Sequence, residues 1–211
     1  MTLLLVLFLA GAAPPTETRV SDLVRRLQQR YEETEDFAAD VVQKSVFRSL
    51  GRTLEARGRV YFKRPGRLRW EVENATRELI VADGTYLWIY HPDRKQAYKA
   101  PFDRAFRSRT PVSFLLGLGR ISEEFHVTDA GSDGTALRLR LEPRSATELG
   151  VLELTVDAAT LDVRKARIED PLGNVTELEF RNFRRDLALE DSLFLFEPPE
   201  GTEVLVAPGL L

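Results

Sequence analysis

Cysteine is absent from all 211 residues, which excludes disulfides, thiolate metal sites, a cysteine nucleophile and a lipid-modified N-terminal cysteine. Histidine is nearly absent as well: the two present leave little material for metal or triad chemistry. His91 lies in Tyr90-His91-Pro92-Asp93, which reads as a turn, and His126 lies between Phe125 and Val127 in a strand pattern. No surplus of positive charge exists, since 30 Lys and Arg stand against 33 Asp and Glu for a net charge of -3. A nucleic-acid binder draws most of its affinity from neutralising phosphates, so that class is excluded. There is no Gly-x-x-x-x-Gly-Lys-Ser/Thr loop, no Gly-x-Gly-x-x-Gly and no Gly-x-Ser-x-Gly elbow, the motifs of phosphate loops, dinucleotide folds and serine hydrolases. Carboxylates are plentiful but scattered along charged strand faces, as on a solvated surface. The chain reads as a non-enzyme with no metal and no cofactor.

Long apolar runs are also missing. The longest, Leu3 to Ala10, falls well short of the roughly 20 residues of a membrane span. With Gly11-Ala12-Ala13 and Pro14-Pro15 behind it, the run fits the apolar core of a secretory signal with small residues at the cleavage site. The expectation is a signal peptide over residues 1–12 and one domain over 13–211, placing the mature protein outside the cytoplasm. The competing reading of the same run is a buried N-terminal strand.

What is present is periodicity. Val20, Leu23, Val24, Leu27 and Tyr31 fall on one face of a helix, which fades near Thr34. From Phe37 onward the period becomes two. Arg67-Leu68-Arg69-Trp70-Glu71-Val72-Glu73 is the cleanest case, a strand with one charged and one apolar face. Similar alternation marks Phe37–Val42, Ala56–Lys63, Leu137–Leu141, Leu152–Val156, Val163–Ile168 and Thr176–Phe183. Asp83-Gly84 between Glu78–Ala82 and Tyr86–Tyr90 is a hairpin signal. Thr110-Pro111 opens a short helix containing Phe114, Leu115 and Leu116, weakened at once by Gly117 and Gly119. The class is mainly β (α+β): a curved antiparallel sheet of about 11 strands, near the size at which open sheets curl, with two or three helices.

Such a sheet has one apolar face that must be covered, and two or three short helices are a small cover. Two readings follow from pattern alone. Either the helices fill the concave side, or that side, lined by residues such as Phe62, Leu68, Trp70 and Trp88, holds a pocket for an apolar ligand.

Several segments resemble a known family. Lys63-Arg64-Pro65-Gly66-Arg67-Leu68-Arg69-Trp70 and Leu79-Ile80-Val81-Ala82-Asp83-Gly84-Thr85-Tyr86-Leu87-Trp88-Ile89-Tyr90 are similar to motifs of the periplasmic outer-membrane lipoprotein carriers, the LolA family. Pro92, Gln96, Thr110-Pro111, Asp170-Pro171-Leu172-Gly173-Asn174 and Phe194-Leu195-Phe196-Glu197-Pro198-Pro199-Glu200-Gly201 continue the likeness in order. The resemblance implies an incomplete, unclosed β-barrel with a short helical lid, whose cavity takes lipoprotein acyl chains. It implies that Arg64 matches an arginine that hydrogen-bonds the lid and holds the empty cavity shut. Leu68 matches an aromatic position at the cavity mouth, and Phe114, Leu115 and Leu116 match the lid. Cavity and lid together would comprise Phe62, Arg64, Leu68, Trp70, Trp88, Tyr90, Phe114, Leu115 and Leu116. The implied partners are lipoprotein acyl chains, an inner-membrane lipoprotein-releasing ABC transporter and an outer-membrane lipoprotein acceptor, served by a monomer. The C-terminal extension of the best-known members is short or absent after Val204-Leu205-Val206. A sensor of lipid or lipoprotein with the same fold is the alternative.

Overall fold

The computed structural model describes residues 16–73, 77–102, 120–145 and 150–206. Helix α1 (Thr16–Glu33) comes first. The backbone then enters a meander of strands: β1 (Asp36–Phe47), β2 (Arg52–Lys63), β3 (Arg67–Glu73), β4 (Glu78–Asp83), β5 (Tyr86–His91) and β6 (Gln96–Pro101). A one-turn helix α2 (Ile121–Glu124) precedes β7 (Phe125–Ser132), β8 (Ala136–Pro143), β9 (Val151–Asp157), β10 (Val163–Glu169) and β11 (Val175–Arg185), and β12 (Glu203–Val206) closes the order. The expected helix ends where its periodicity stops, and every strand read from alternation is present. Thr34 donates its hydroxyl to Arg30 O at 2.8 Å and closes the last turn of α1.

All twelve strands form one sheet in the order β12-β6-β5-β4-β3-β2-β1-β11-β10-β9-β8-β7. Neighbours are antiparallel, except that β12 runs parallel to β6. The two edge strands, β12 and β7, do not pair with each other, so the barrel is unclosed. The expected lid helix and its residues Phe114, Leu115 and Leu116 lie outside the described residues.

Register fixes which side chains share a face. Phe37, Phe62, Leu68, Ala82, Leu87 and Ala100 form one row across β1 to β6, and Ala39, Val60, Trp70, Ile80, Ile89 and Tyr98 form the next. This is the inner face, because α1 lies on it: Val20, Val24, Leu27 and Tyr31 share one buried cluster with Phe37, Val60 and Phe62 and with the inner residues of β7 to β11. Strand alternation on β8 and β9 sends Leu139, Leu141, Leu152, Leu154 and Val156 under the helix, each no more than 1% exposed.

A buried polar clasp fixes α1 to the sheet. The Tyr31 hydroxyl accepts the Val163 N–H at 3.0 Å. Arg185 donates to Thr34 Oγ1 at 2.5 Å, pairs with Asp162 and lies over the rings of Tyr31 and Phe183. Burial pushes the Tyr31 phenol up to about 12, against the lowering effect of the Val163 N–H and Arg185.

Candidate functional site: a half-covered inner wall

The helix covers only one side of the inner face. Beyond Phe62, which is sealed at 1% exposure, the apolar wall continues through Leu68 and Trp70 to Ile80, Ile89 and Tyr98, all of them only half-buried. Leu68 belongs to both sides, packing against the cluster under α1 and against the small cluster of Ala82, Leu87 and Ala100. Ile80 and Phe102 complete that second cluster. The result is a continuous aliphatic and aromatic surface: α1 closes one end, the row of Ala82, Leu87 and Ala100 is buried with Phe102 against it, and the neighbouring row of Trp70, Ile80, Ile89 and Tyr98 is only partly buried. Polar groups mark one limit of the wall: Tyr98 meets His91 edge-on at 5.9 Å, and His91 Nδ1 lies 4.0 Å from Glu78.

Arg64 sits at the other end of the strands, in the turn between β2 and β3. Its N–H donates to Glu35 O at 2.8 Å, which ties the turn to the start of β1. Its side chain is half-buried, yet its buried Nε has no hydrogen-bond partner among the described residues. An unpaired buried donor costs about 1–3 kcal/mol, so this atom is placed to gain from any acceptor brought to it. Gly66, two residues on, takes φ +61 and lies against the ring of Phe102, where a Cβ would come within 2.7 Å. Phe102 is in turn tied by its N–H to Thr85 O at 2.9 Å. The arginine turn and the chain leaving β6 therefore touch at the mouth of the wall.

The structure separates residues that sequence reasoning had grouped. Leu68 and Trp70 are on the half-exposed inner wall, Phe62 is beneath it in the sealed core, and Arg64 is at its end. Trp88 and Tyr90 are not part of the wall. Trp88 is in register with Val81 and Tyr90 with Leu79, on the opposite face of the sheet. There Phe196 packs on both rings, with centroids 5.4 and 5.3 Å away, over Val81 and Ala97. The cause is parity: β5 reads apolar at every position from Leu87 to Tyr90, so it has an apolar residue on each face. That same unbroken run, with Leu79–Ala82 beside it, is the signal of a strand pair buried on both sides. It could have revealed the outer cover.

The cover is a strap formed by residues 186–206. Asp36, 2% exposed, accepts the N–H groups of Leu187 and Leu189 at 2.6 and 2.8 Å. Lys63 donates to Leu189 O, and Arg69 donates to Leu193 O at 3.3 Å. Asp191 pairs with Lys63 and Arg67, both at 2.6 Å. The Lys63 hydrogen bond, aided by Arg67, holds its carboxyl below the usual carboxylate range.

A separate groove of about 1020 Å³ runs between α1 and β7. Val20, Val24, Phe125 and Val127 line it together with Arg25, Glu32, Arg120, Asp129 and Arg144. None of the wall residues borders it. The inner wall, which is uniformly apolar, is the candidate ligand surface. Among the described residues no cluster of His, Asp or Glu is placed to hold a metal ion. No described helix is long and apolar enough to cross a membrane.

An unclosed sheet with a partly covered apolar interior places the chain in the class of half-barrel proteins. Residues 32–197 match the family model described as outer membrane lipoprotein carrier protein LolA. The chain belongs to this family, which is one of carriers rather than of enzymes. It is 33% identical over 172 residues to the outer-membrane lipoprotein carrier protein of Nitrosospira multiformis, covering 81% of this chain and 80% of that one. The carrier protein of Nitrosomonas europaea is 29% identical over 203 residues, covering 96% and 98%. In fold the chain is similar to an uncharacterised conserved protein from Thermus thermophilus, with TM-score 0.57 and 16% identity over 89% of this chain and 98% of that one.

Proposed function

We propose that this protein carries lipoproteins through the periplasm, from an inner-membrane releasing transporter to an outer-membrane acceptor, by holding their acyl chains against the inner wall. The observation that carries the reading is the contrast on one face of one sheet: Leu68, Trp70, Ile80, Ile89 and Tyr98 stay half-exposed beside a core sealed by α1. A row of large apolar side chains left partly exposed beside a sealed core supports a binding surface. Family membership supports lipoproteins as the cargo class.

Energetics constrain how such a carrier works. Burying an acyl chain contributes about 0.8 kcal/mol per methylene, or roughly 12 kcal/mol for a sixteen-carbon chain. Several chains bound at full strength would not leave, so part of the gain must be spent on opening the site. Arg64 supplies a switch of suitable size. A hydrogen bond from its guanidinium to a carbonyl of the segment between Phe102 and Arg120, which includes Phe114, Leu115 and Leu116, is worth about 1.5–3 kcal/mol. That biases a closed, empty state without locking it.

The test is Arg64→Leu. The variant should load acylated cargo as well as wild type but release it to an acceptor poorly, because the closed state no longer competes. Transfer at the wild-type rate would remove Arg64 from the switch. Native mass spectrometry of protein taken from the periplasm checks the wider reading: bound triacylated lipoprotein supports it, and an empty protein unable to take acyl chains overturns it.

A further inference from the structure

The two hairpins at the far end of the sheet from Arg64 carry a feature that cargo binding does not use. Strand β2 pairs with β3 only from Arg57 onward, so Arg52 to Ala56 project past β3 and are held by β1 alone. The tip is a single helical turn, Arg48–Leu50, ended by Gly51 in the left-handed region. It leans on the neighbouring β10–β11 tip. The Arg48 N–H donates to Asn174 Oδ1 at 3.0 Å, and its side chain passes Gly173, where a Cβ would stand 3.4 Å away. Asp170 stiffens this second tip by accepting the N–H groups of Leu172 and Asn174 and the Asn174 amide. Two braced tips thus make one projecting end.

That end shows leucine to the solvent. Leu50 is 67% exposed, Leu54 58% and Leu172 82%, at positions where a polar side chain would serve the fold as well. Arginines flank them. No ion pair among the described residues involves Arg48, Arg52 or Arg57, in a chain whose net charge is -3. Exposed leucines at a projecting tip with unpaired arginines among them match a bilayer interface. There apolar side chains enter the acyl boundary and cations meet anionic headgroups. A protein partner would instead need a pocket shaped to the tips.

We propose that the joined tips of the β1–β2 and β10–β11 hairpins dock on anionic phospholipid membranes, with Leu50, Leu54 and Leu172 entering the interface and Arg48 and Arg52 against lipid phosphates. Along β2, Leu54 lies six residues from Val60, the position in register with Trp70 of the wall, or about 20 Å of extended chain. A loaded carrier can therefore touch a membrane without presenting its cargo wall to it. The contact does not depend on what the wall binds.

Because the chain lacks cysteine, a single Leu172→Cys variant of the full chain can carry an environment-sensitive fluorophore. Its emission should shift to the blue on adding vesicles of phosphatidylglycerol and phosphatidylcholine. The same label at Leu195→Cys, exposed on the strap at 64%, should stay unchanged, which separates tip insertion from attachment through the N-terminal apolar run. Arg48→Glu combined with Arg52→Glu should weaken the partition measured at the tip by at least about tenfold, and high salt should act in the same direction. Equal responses at the two labels, or no effect of the charge reversal, would overturn the proposal. Silence with lipid vesicles but a shift with proteoliposomes would assign the tips to a protein partner and overturn it too.

Discussion

The two halves of the inner face are made of the same material and finished differently. Over β7 to β11, Leu139, Leu141, Leu152, Leu154 and Val156 are excluded from water by α1. Over β3 to β6, Trp70, Ile80, Ile89 and Tyr98 are just as apolar and only half-covered. Alternation is regular over β8, β9 and β3, and gives way to unbroken apolar runs in β4 and β5. The difference lies in what is laid across the strands: an amphipathic helix clasped by Tyr31 and Arg185 on one side, and no described element of that kind on the other. On the proposed reading, one half supplies stability and the other serves binding.

Core truncations break or confirm this division most directly. Leu27→Ala, at a fully buried position, should lower stability by about 2–5 kcal/mol, as cavities in close-packed cores do. Ile80→Ala removes a similar volume from the half-exposed wall and should cost no more than about 1.5 kcal/mol, because part of that surface is already wet. Urea unfolding of both variants reads the ratio. Equal losses would mean that the wall is core and that no binding surface has been held back.

Much of this was legible in the sequence. Helical spacing from Val20 to Tyr31 and alternation from Arg67 to Glu73 gave the elements directly, because side-chain period follows backbone geometry. Leu68 and Trp70 could be assigned a face because charges separate them. Trp88 and Tyr90 could not, since Leu87 and Ile89 beside them are apolar too and no polar residue labels the outside. Their burial under Phe196 depends on an irregular segment more than a hundred positions away and on the parallel pairing of β12 with β6. Local pattern has no access to either. The buried partner set of Asp36, which joins β1 to Leu187 and Leu189, is hidden for the same reason.

The clasp on the sealed half has a pH signature that the open half lacks. Tyr31 has its phenol raised from 10.0 to about 12 by burial, so its neutral form is the one that folding favours. A raised folded value means this contribution is complete below pH 10 and is lost as pH rises toward 12. Tyr31→Phe should cost about 1–3 kcal/mol at neutral pH by leaving the Val163 N–H unpaired in the core. It should also flatten the alkaline limb of the stability curve between pH 10 and 12. Melting scans of both proteins across that range test it: parallel alkaline limbs would show that the clasp does not tie helix to sheet through this hydroxyl.

The smallest effect belongs to the outer strap. Asp191 is exposed, so its pairs with Lys63 and Arg67 are screened by water and contribute little to global stability. Its carboxyl is nevertheless held below 3.8 by Lys63 and then Arg67. A depressed folded value stabilises above the unfolded value and loses that effect as pH falls through the folded one. Asp191→Asn should therefore move the melting temperature by less than about 3 °C at neutral pH and remove a slight acid dependence. The local consequence is larger. Hydrogen exchange at the Leu193 and Leu195 amides, which close the turn at Asp191–Phe194, should quicken, while acyl binding stays unchanged because Leu68 and Trp70 face the other way. A loss of acyl binding in this variant would show that the outer strap and the inner wall act as one unit, and the division of labour across the sheet would fail with it.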